Sequence, residues 1–208
     1  MKQVYVHGLG QTPASWERTC YYLNDNGQSV CPNLAEIVRG REINYQNLYK
    51  AFASICNEMD SSINLCGLSL GGVMALNYAI DYPEKVNSLV LIAAQYKMPK
   101  KLLQLQNLLF RFMPKSMLQQ MGFGKKEFIH LCKTMMELDF SNDLRKISCP
   151  VLVVYGEKDD ANKKASIELA NILQDAELQV VDGSGHEINT DAPETLAKIL
   201  RIFYERVS

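Results

Sequence analysis

The sequence predicts an α/β fold: a mostly parallel sheet of about six strands, helices on both faces, and a helical insertion after the fourth strand. Three observations predict it. Short apolar runs alternate with segments of helical periodicity through most of the 208 residues. One such run, Ile63 to Leu68, passes through a glycine-rich turn directly into a helix-like run, Val73 to Ile80. Between residues 95 and 145 the alternation stops, strand signals vanish and leucine and methionine become dense. The expected division is a core of residues 1–94 and 146–208 with an all-helical insertion at 95–145.

Bulk composition narrows the class. An apolar content of 47% and a charged content of 22% are ordinary for a globular chain and argue against disorder. A formal net charge of -1 gives no bias towards nucleic acid or a membrane surface. The start, Met1 to Val6, enters a strand directly and lacks the apolar core of a signal peptide. No run approaches the roughly 18 apolar residues of a membrane span. The six cysteines are scattered, with no C-x-x-C pair. That pattern points to reduced thiols in the cytoplasm, not to a disulfide frame or a zinc site.

Each element has its own signal. Val4-Tyr5-Val6 is a short strand running into His7-Gly8-Leu9-Gly10. Trp16 to Leu23 is helical in character, with Ser15 as the cap. Gln28 to Pro32 reads as a second strand ended by the proline. Leu48, Phe52, Ile55 and Met59 recur at helical spacing across Tyr45 to Met59. The strand at Ile63 and its helix follow, the helix stopping before Pro83. Val86 to Ile92 is apolar enough for a parallel strand covered on both faces. After the insertion, Pro150 to Tyr155 is a strand, Ala165 to Leu173 a helix and Leu178 to Val181 the last strand. Pro193 to Val207 is the final helix, with Asp191 as its cap and Pro193 in its first turn.

Gly67-Leu68-Ser69-Leu70-Gly71 matches G-x-S-x-G, the nucleophile elbow. A serine on a strained strand-to-helix turn is pushed out at the carboxyl end of the sheet, and flanking glycines let strand and helix approach. A serine hydroxyl needs a base to take its proton. Of the three histidines, only His186 follows the last strand on a glycine-flanked loop. His130 falls inside the insertion, and His7 reads as a brace for its turn. A third group must orient the imidazole, and Asp159 lies just past the fifth strand. The adjacent Asp160 is the alternative; the G-x-x-D spacing from Gly156 favours Asp159. The order Ser69, Asp159, His186 is the Ser…Asp…His order of hydrolases built on this architecture. Two backbone donors are required for the oxyanion. The N–H of Leu70 is one and that of Leu9 the other.

Taken together, the chain resembles a small member of the α/β-hydrolase superfamily, near its carboxylesterase, lysophospholipase and proline-iminopeptidase-like branches. The matching pieces are H-G-L-G with Trp16 downstream, G-L-S-L-G-G, Y-P-E-K-V, P-V-L-V-V-Y-G-E-K-D, and G-S-G-H followed by D-A-P-E. They span nearly the whole chain outside the insertion. The resemblance implies that residues 95–145 form a lid over the site, and it implies no metal and no organic cofactor. Many relatives carry two further strands before the H-G turn. This sheet should therefore be a reduced one, its first edge open to cover by a partner, with a homodimer left open.

The resulting expectation is a serine hydrolase cleaving a carboxylic ester of a small or medium acyl substrate through an acyl-enzyme on Ser69. Thioesters, lactones, amides or peptides and carbon–carbon bonds remain open to the same triad. A non-enzymatic ligand sensor on this fold is the contrasting class, and a complete triad argues against it. No nucleic-acid partner and no stable membrane association are expected. The cluster Leu102, Leu103, Leu105, Leu108, Leu109, Phe110, Phe112 and Met113 reads either as ordinary lid packing or as an acyl-chain pocket.

Overall fold

The computed structural model describes residues 1–25, 27–100 and 124–207. Its five strands are β1 (Lys2–Val6), β2 (Ile63–Leu68), β3 (Val86–Ile92), β4 (Val151–Gly156) and β5 (Ala176–Val181). They pair in parallel in the order β1-β2-β3-β4-β5. The described helices are α1 (Glu17–Leu23), α2 (Leu34–Ile37), α3 (Tyr45–Asn57), α4 (Leu70–Asp81), α5 (Lys125–Met135), α6 (Asp160–Ile172), α7 (Ile188–Asp191) and α8 (Pro193–Val207). Short 3-10 turns precede α1 at Pro13–Trp16 and β3 at Pro83–Lys85.

Strand alternation divides the core in two. Leu65, Leu89, Leu91, Val151 and Val153 face one side and pack with α3, α4 and α6. Cys66, Leu68, Val90, Ile92, Leu152 and Val154 face the other and pack with Trp16 and α8. Side chains of successive strand residues point to opposite faces, so an unbroken apolar strand feeds both layers at once. Tyr5 and Trp16 stack with ring centroids 5.0 Å apart, fixing the chain just after β1 against the second layer.

Three expectations need correction. The strand expected at Gln28 to Pro32 is reduced to one parallel bridge, Val30 to Val4. Tyr5 N–H donates to the Val30 carbonyl and Val30 N–H to the Gln3 carbonyl, each at 2.9 Å. Pro32 has no N–H to carry the ladder further. Ser15 does not cap α1; its hydroxyl accepts from Thr12 N–H at 3.4 Å in the preceding turn. Asp191 ends α7 instead of standing before α8, and its carboxylate accepts the Gly185 N–H at 3.1 Å.

The chain leaves for and returns from the segment expected as an insertion side by side. Met98 N–H donates to the Leu138 carbonyl (3.1 Å) and Phe140 N–H to the Tyr96 carbonyl (2.8 Å). Lys97 pairs with Asp139 at 2.9 Å across this stem, and Lys100 with Glu137 at 2.7 Å. The returning helix α5 buries Phe128, Leu131, Cys132 and Met135 in the same layer as α3. The apolar cluster from Leu102 to Met113 lies outside the described residues. Among the described residues no helix is long and apolar enough to cross a membrane.

Candidate active site

The elbow is built by close approach. Ser69 joins β2 to α4 at φ 54°, ψ -115°, a conformation that L-residues rarely adopt. Its N–H donates to the Ile92 carbonyl at 2.8 Å, tying the turn to the end of β3. Strain at Ser69 is imposed from both sides. A Cβ on Gly71 would sit 2.2 Å from the Val6 carbonyl oxygen, so only glycine lets α4 start this close to β1.

The turn after β1 lies against the elbow: a Cβ on Gly8 would be 3.5 Å from the Ser69 Cβ. His7 is 2% exposed and braces this turn. Its Nδ1 faces the Gly8 carbonyl at 2.9 Å, and its Nε2 faces the Leu34 N–H at 3.2 Å. A carbonyl can only accept and an N–H can only donate, so the ring is neutral with its proton on Nδ1. Burial pushes its pKa below the ordinary histidine value. Among the described residues, neither Leu9 N–H nor Leu70 N–H has an acceptor.

The other two residues arrive from the ends of β4 and β5. A Cβ on Gly156 would lie 2.1 Å from the Gly185 carbonyl oxygen, so the two turns can nest only with glycine there. Lys158 N–H donates to the Ser184 carbonyl at 3.0 Å and locks them. The structure thereby brings Asp159 and His186 together, with Nδ1 to Oδ2 at 2.8 Å. Asp159 is buried and the His186 ring is 41% exposed. Burial pushes the Asp159 carboxyl up, but hydrogen bonds from His186 and Asn162 outweigh it, and the net shift is downward. Asp160 is exposed in the first turn of α6, with no hydrogen bond to His186 among the described residues. The Ser69 hydroxyl makes no hydrogen bond to His186 among the described residues. Such contacts commonly tighten only when substrate is bound.

Sequence reasoning missed four side chains. Asn162 donates to both Asp159 oxygens, at 2.8 and 2.9 Å, and Gln95 donates to the Asn162 oxygen at 2.8 Å. Gln11 and Asn189 form a second amide pair, this one buried, and Gln11 also accepts the Gly8 N–H at 3.2 Å. Asn162 carried a signal, since three residues along a helix from Asp159 is the same face. The other three carried none. Among the described residues no group of three or more His, Cys, Asp or Glu could hold a metal ion. A separate open groove of about 640 Å³ between α3, α4 and α5, lined by Tyr45, Asp81 and His130 among others, includes no residue of this site.

Comparison with known proteins places the chain in a family. The model of the alpha/beta hydrolase family matches residues 3–199. The chain belongs to the alpha/beta hydrolase family. Monoacylglycerol lipase ABHD6 of Mus musculus is 23% identical over 164 residues, 69% of this chain and 49% of that protein. The chain thus spans about half the length of that curated relative. RutD of Escherichia coli O81 (strain ED1a), provisionally named a carbamate hydrolase, is 23% identical across 95% of this chain and 88% of its own. Among solved structures, a thermophilic esterase from Thermogutta terrifontis superposes with a TM-score of 0.80 at 20% identity. It covers 100% of this chain and 90% of that one. At such identity the likeness shows the fold alone.

Proposed function

We propose that this alpha/beta hydrolase is a serine hydrolase that cleaves carboxylic esters of small or medium acyl groups, with Ser69, His186 and Asp159 as its triad. The observation that carries the reading is the 2.8 Å bond from His186 Nδ1 to buried Asp159, together with a serine held at positive φ on the strand-to-helix turn after β2. With its proton on Nδ1, the imidazole leaves Nε2 free as the base. Ser69 Oγ attacks the ester carbonyl while Nε2 takes the hydroxyl proton. The tetrahedral intermediate collapses, and His186 returns that proton to the departing alcohol. Water then attacks the acyl-enzyme by the same route and releases the acid.

The oxyanion is held by the N–H groups of Leu9 and Leu70. Support for Leu9 comes from its peptide. His7 Nδ1–H and Gln11 N–H both hold the Gly8 carbonyl, at 2.9 and 3.2 Å. In a planar trans peptide the N–H points opposite to the carbonyl, so these bonds turn the Leu9 N–H away from His7. Donors fixed before substrate arrives need no reorganisation during the reaction.

Hydrolysis of p-nitrophenyl esters from acetate to long acyl chains, with Ser69→Ala alongside, tests the reading. A Ser69-dependent rate with a chain-length optimum supports it. Absence of turnover together with absence of labelling by a fluorophosphonate probe in folded protein overturns it in favour of a ligand sensor. Labelling without ester turnover would redirect the search to another acyl bond, the carbamate named for RutD included. The six cysteines are free thiols, which suits the cytoplasmic location proposed with this activity.

A further inference from the structure

We infer that Asn162 and Gln95 are a positioning pair that shares the Asp159 carboxylate with His186, holding the acid in place from the root of the insertion. The inference rests on the triad reading above.

The orientation of both amides follows from one fixed atom. Gln95 lies 3.3 Å from the Ala161 carbonyl, which can only accept, so the Gln95 group facing it is the NH2. That same NH2 lies 2.8 Å from an Asn162 atom, which must then be the Asn162 oxygen. The Asn162 NH2 is left to face Asp159, at 2.8 Å from Oδ1 and 2.9 Å from Oδ2. It also lies 3.1 Å from His186 Nδ1. Asn162 and Asp159 are both buried, so these bonds are shielded from competing water.

A carboxylate that accepts from Asn162 as well as from His186 spreads its charge over more donors. Its pull on the imidazolium is weaker than with His186 alone, and its lone pairs stay aimed. The pair would thus restrain the acid from over-stabilising protonated His186, which is inactive as a base. The charged groups around the two turns are Glu157, Lys158, Asp160 and Lys163 on the Asp159 side and Asp182, Glu187 and Asp191 on the His186 side. All are exposed, and among the described residues none of their charged side chains hydrogen-bonds to the Asp159 carboxylate or the His186 ring. Asn162 is therefore the group to change.

The test is the ring-proton NMR titration of His186 in folded protein without substrate. The chain has only three histidines, so single substitutions of His7 and His130 assign the signals. Asn162→Leu keeps the volume and removes the donor. The expected result is a His186 titration midpoint raised by about half a pH unit. Gln95→Leu should raise it by less, because the Asn162 amide is then free to turn. A midpoint unmoved or lowered in Asn162→Leu overturns the inference, since a merely structural Asn162 would release Asp159 and weaken its hold on the ring. An unmoved midpoint in Gln95→Leu overturns the role given to Gln95, and that variant alone decides if Asn162→Leu does not fold. The readout requires no turnover. Absence of hydrolysis by the unaltered protein would count against the hydrolase reading and leave the titration to judge this one.

Discussion

Gln11 and Asn189 face each other as a closed amide pair, 178 residues apart in sequence. Gln11 Nε2 donates to Asn189 Oδ1 at 3.0 Å, and Asn189 Nδ2 donates back to Gln11 Oε1 at 3.1 Å. Both side chains are buried, Asn189 completely. Gln11 also accepts the Gly8 N–H, while Asn189 stands three residues after His186. The pair thus joins the turn proposed to supply the Leu9 donor to the loop that carries the proposed base.

Breaking this pair from one side should be costly. Gln11→Leu leaves the Asn189 amide and the Gly8 N–H buried without partners, at about 1–3 kcal/mol. Asn189→Leu should cost a similar amount. The double variant should cost less than the sum, because an apolar pair leaves no side-chain amide waiting for a partner and only the Gly8 N–H stays orphaned. Urea denaturation of the four proteins measures the coupling, and strict additivity would mean the two amides act independently.

Ser69 should trade stability for function. Its backbone, at φ 54° and ψ -115°, costs roughly 1–3 kcal/mol of strain in an L-residue. Ser69→Gly removes that strain but loosens the unfolded chain by about 0.5–1 kcal/mol. The first effect is larger, so Ser69→Gly should be inactive yet more stable than Ser69→Ala by about 1 kcal/mol. Thermal melting of the two inactive variants checks this, and equal midpoints would show a relaxed elbow.

Asp159 and Asp160 should separate cleanly. Asp159→Asn removes the carboxylate that orients His186 and should lower turnover by about 10³–10⁴-fold. Asp160→Asn, exposed at the start of α6, should stay near the unaltered rate. Comparable losses in both would mean the acid is misassigned. Stability supplies a second readout. The folded pKa of Asp159 is lowered, so its carboxylate contributes stability that is present above the unfolded pKa of about 3.9. That contribution fades as pH falls through the lower folded pKa. The gap in urea midpoint between the unaltered protein and Asp159→Asn should narrow over the same range.

What was legible in the sequence was local. The elbow at Ser69, the apolar strands at Ile63 and Val86, and the polar turns after β4 and β5 all carry patterns within a few residues of themselves. Parallel topology then places the strand ends together, so Asp159 and His186 could be paired without seeing either. Val30 was misread because a β-branched residue beside a cysteine looks like a strand, while the missing N–H of Pro32 limits it to one bridge. Gln11, Gln95 and Asn189 were illegible because their partners are set by tertiary packing, and isolated amides in turns look like solvent-facing polar residues. The insertion was legible only as an interruption. That α5 packs into the main core beside α3 follows from Phe128 and Leu131 finding an apolar neighbour that no sequence pattern names.

His7 offers a pH-dependent check on the brace that turns the Gly8–Leu9 peptide. Both ring nitrogens are committed, Nδ1 donating to the Gly8 carbonyl and Nε2 accepting from Leu34 N–H. A second proton would land on Nε2 and face the Leu34 N–H directly, donor against donor. Burial already lowers the folded pKa of this ring below the unfolded value of about 6.5. Between those two values the unfolded chain binds the extra proton and the folded one does not, so stability must fall as pH falls. His7→Gln removes this titration while keeping an amide able to reach the Gly8 carbonyl. The stability difference between unaltered protein and His7→Gln should therefore be largest above about pH 6.5 and shrink as the solution is made more acid. Urea midpoints from pH 8 to 5 measure it. In His7→Leu, which has no donor for the Gly8 carbonyl, kcat should fall by about 10-fold or more with little change in KM, because a loosened Leu9 donor is missed mainly in the transition state. A rise in KM alone would instead assign the His7 turn to substrate binding and take the oxyanion role away from Leu9.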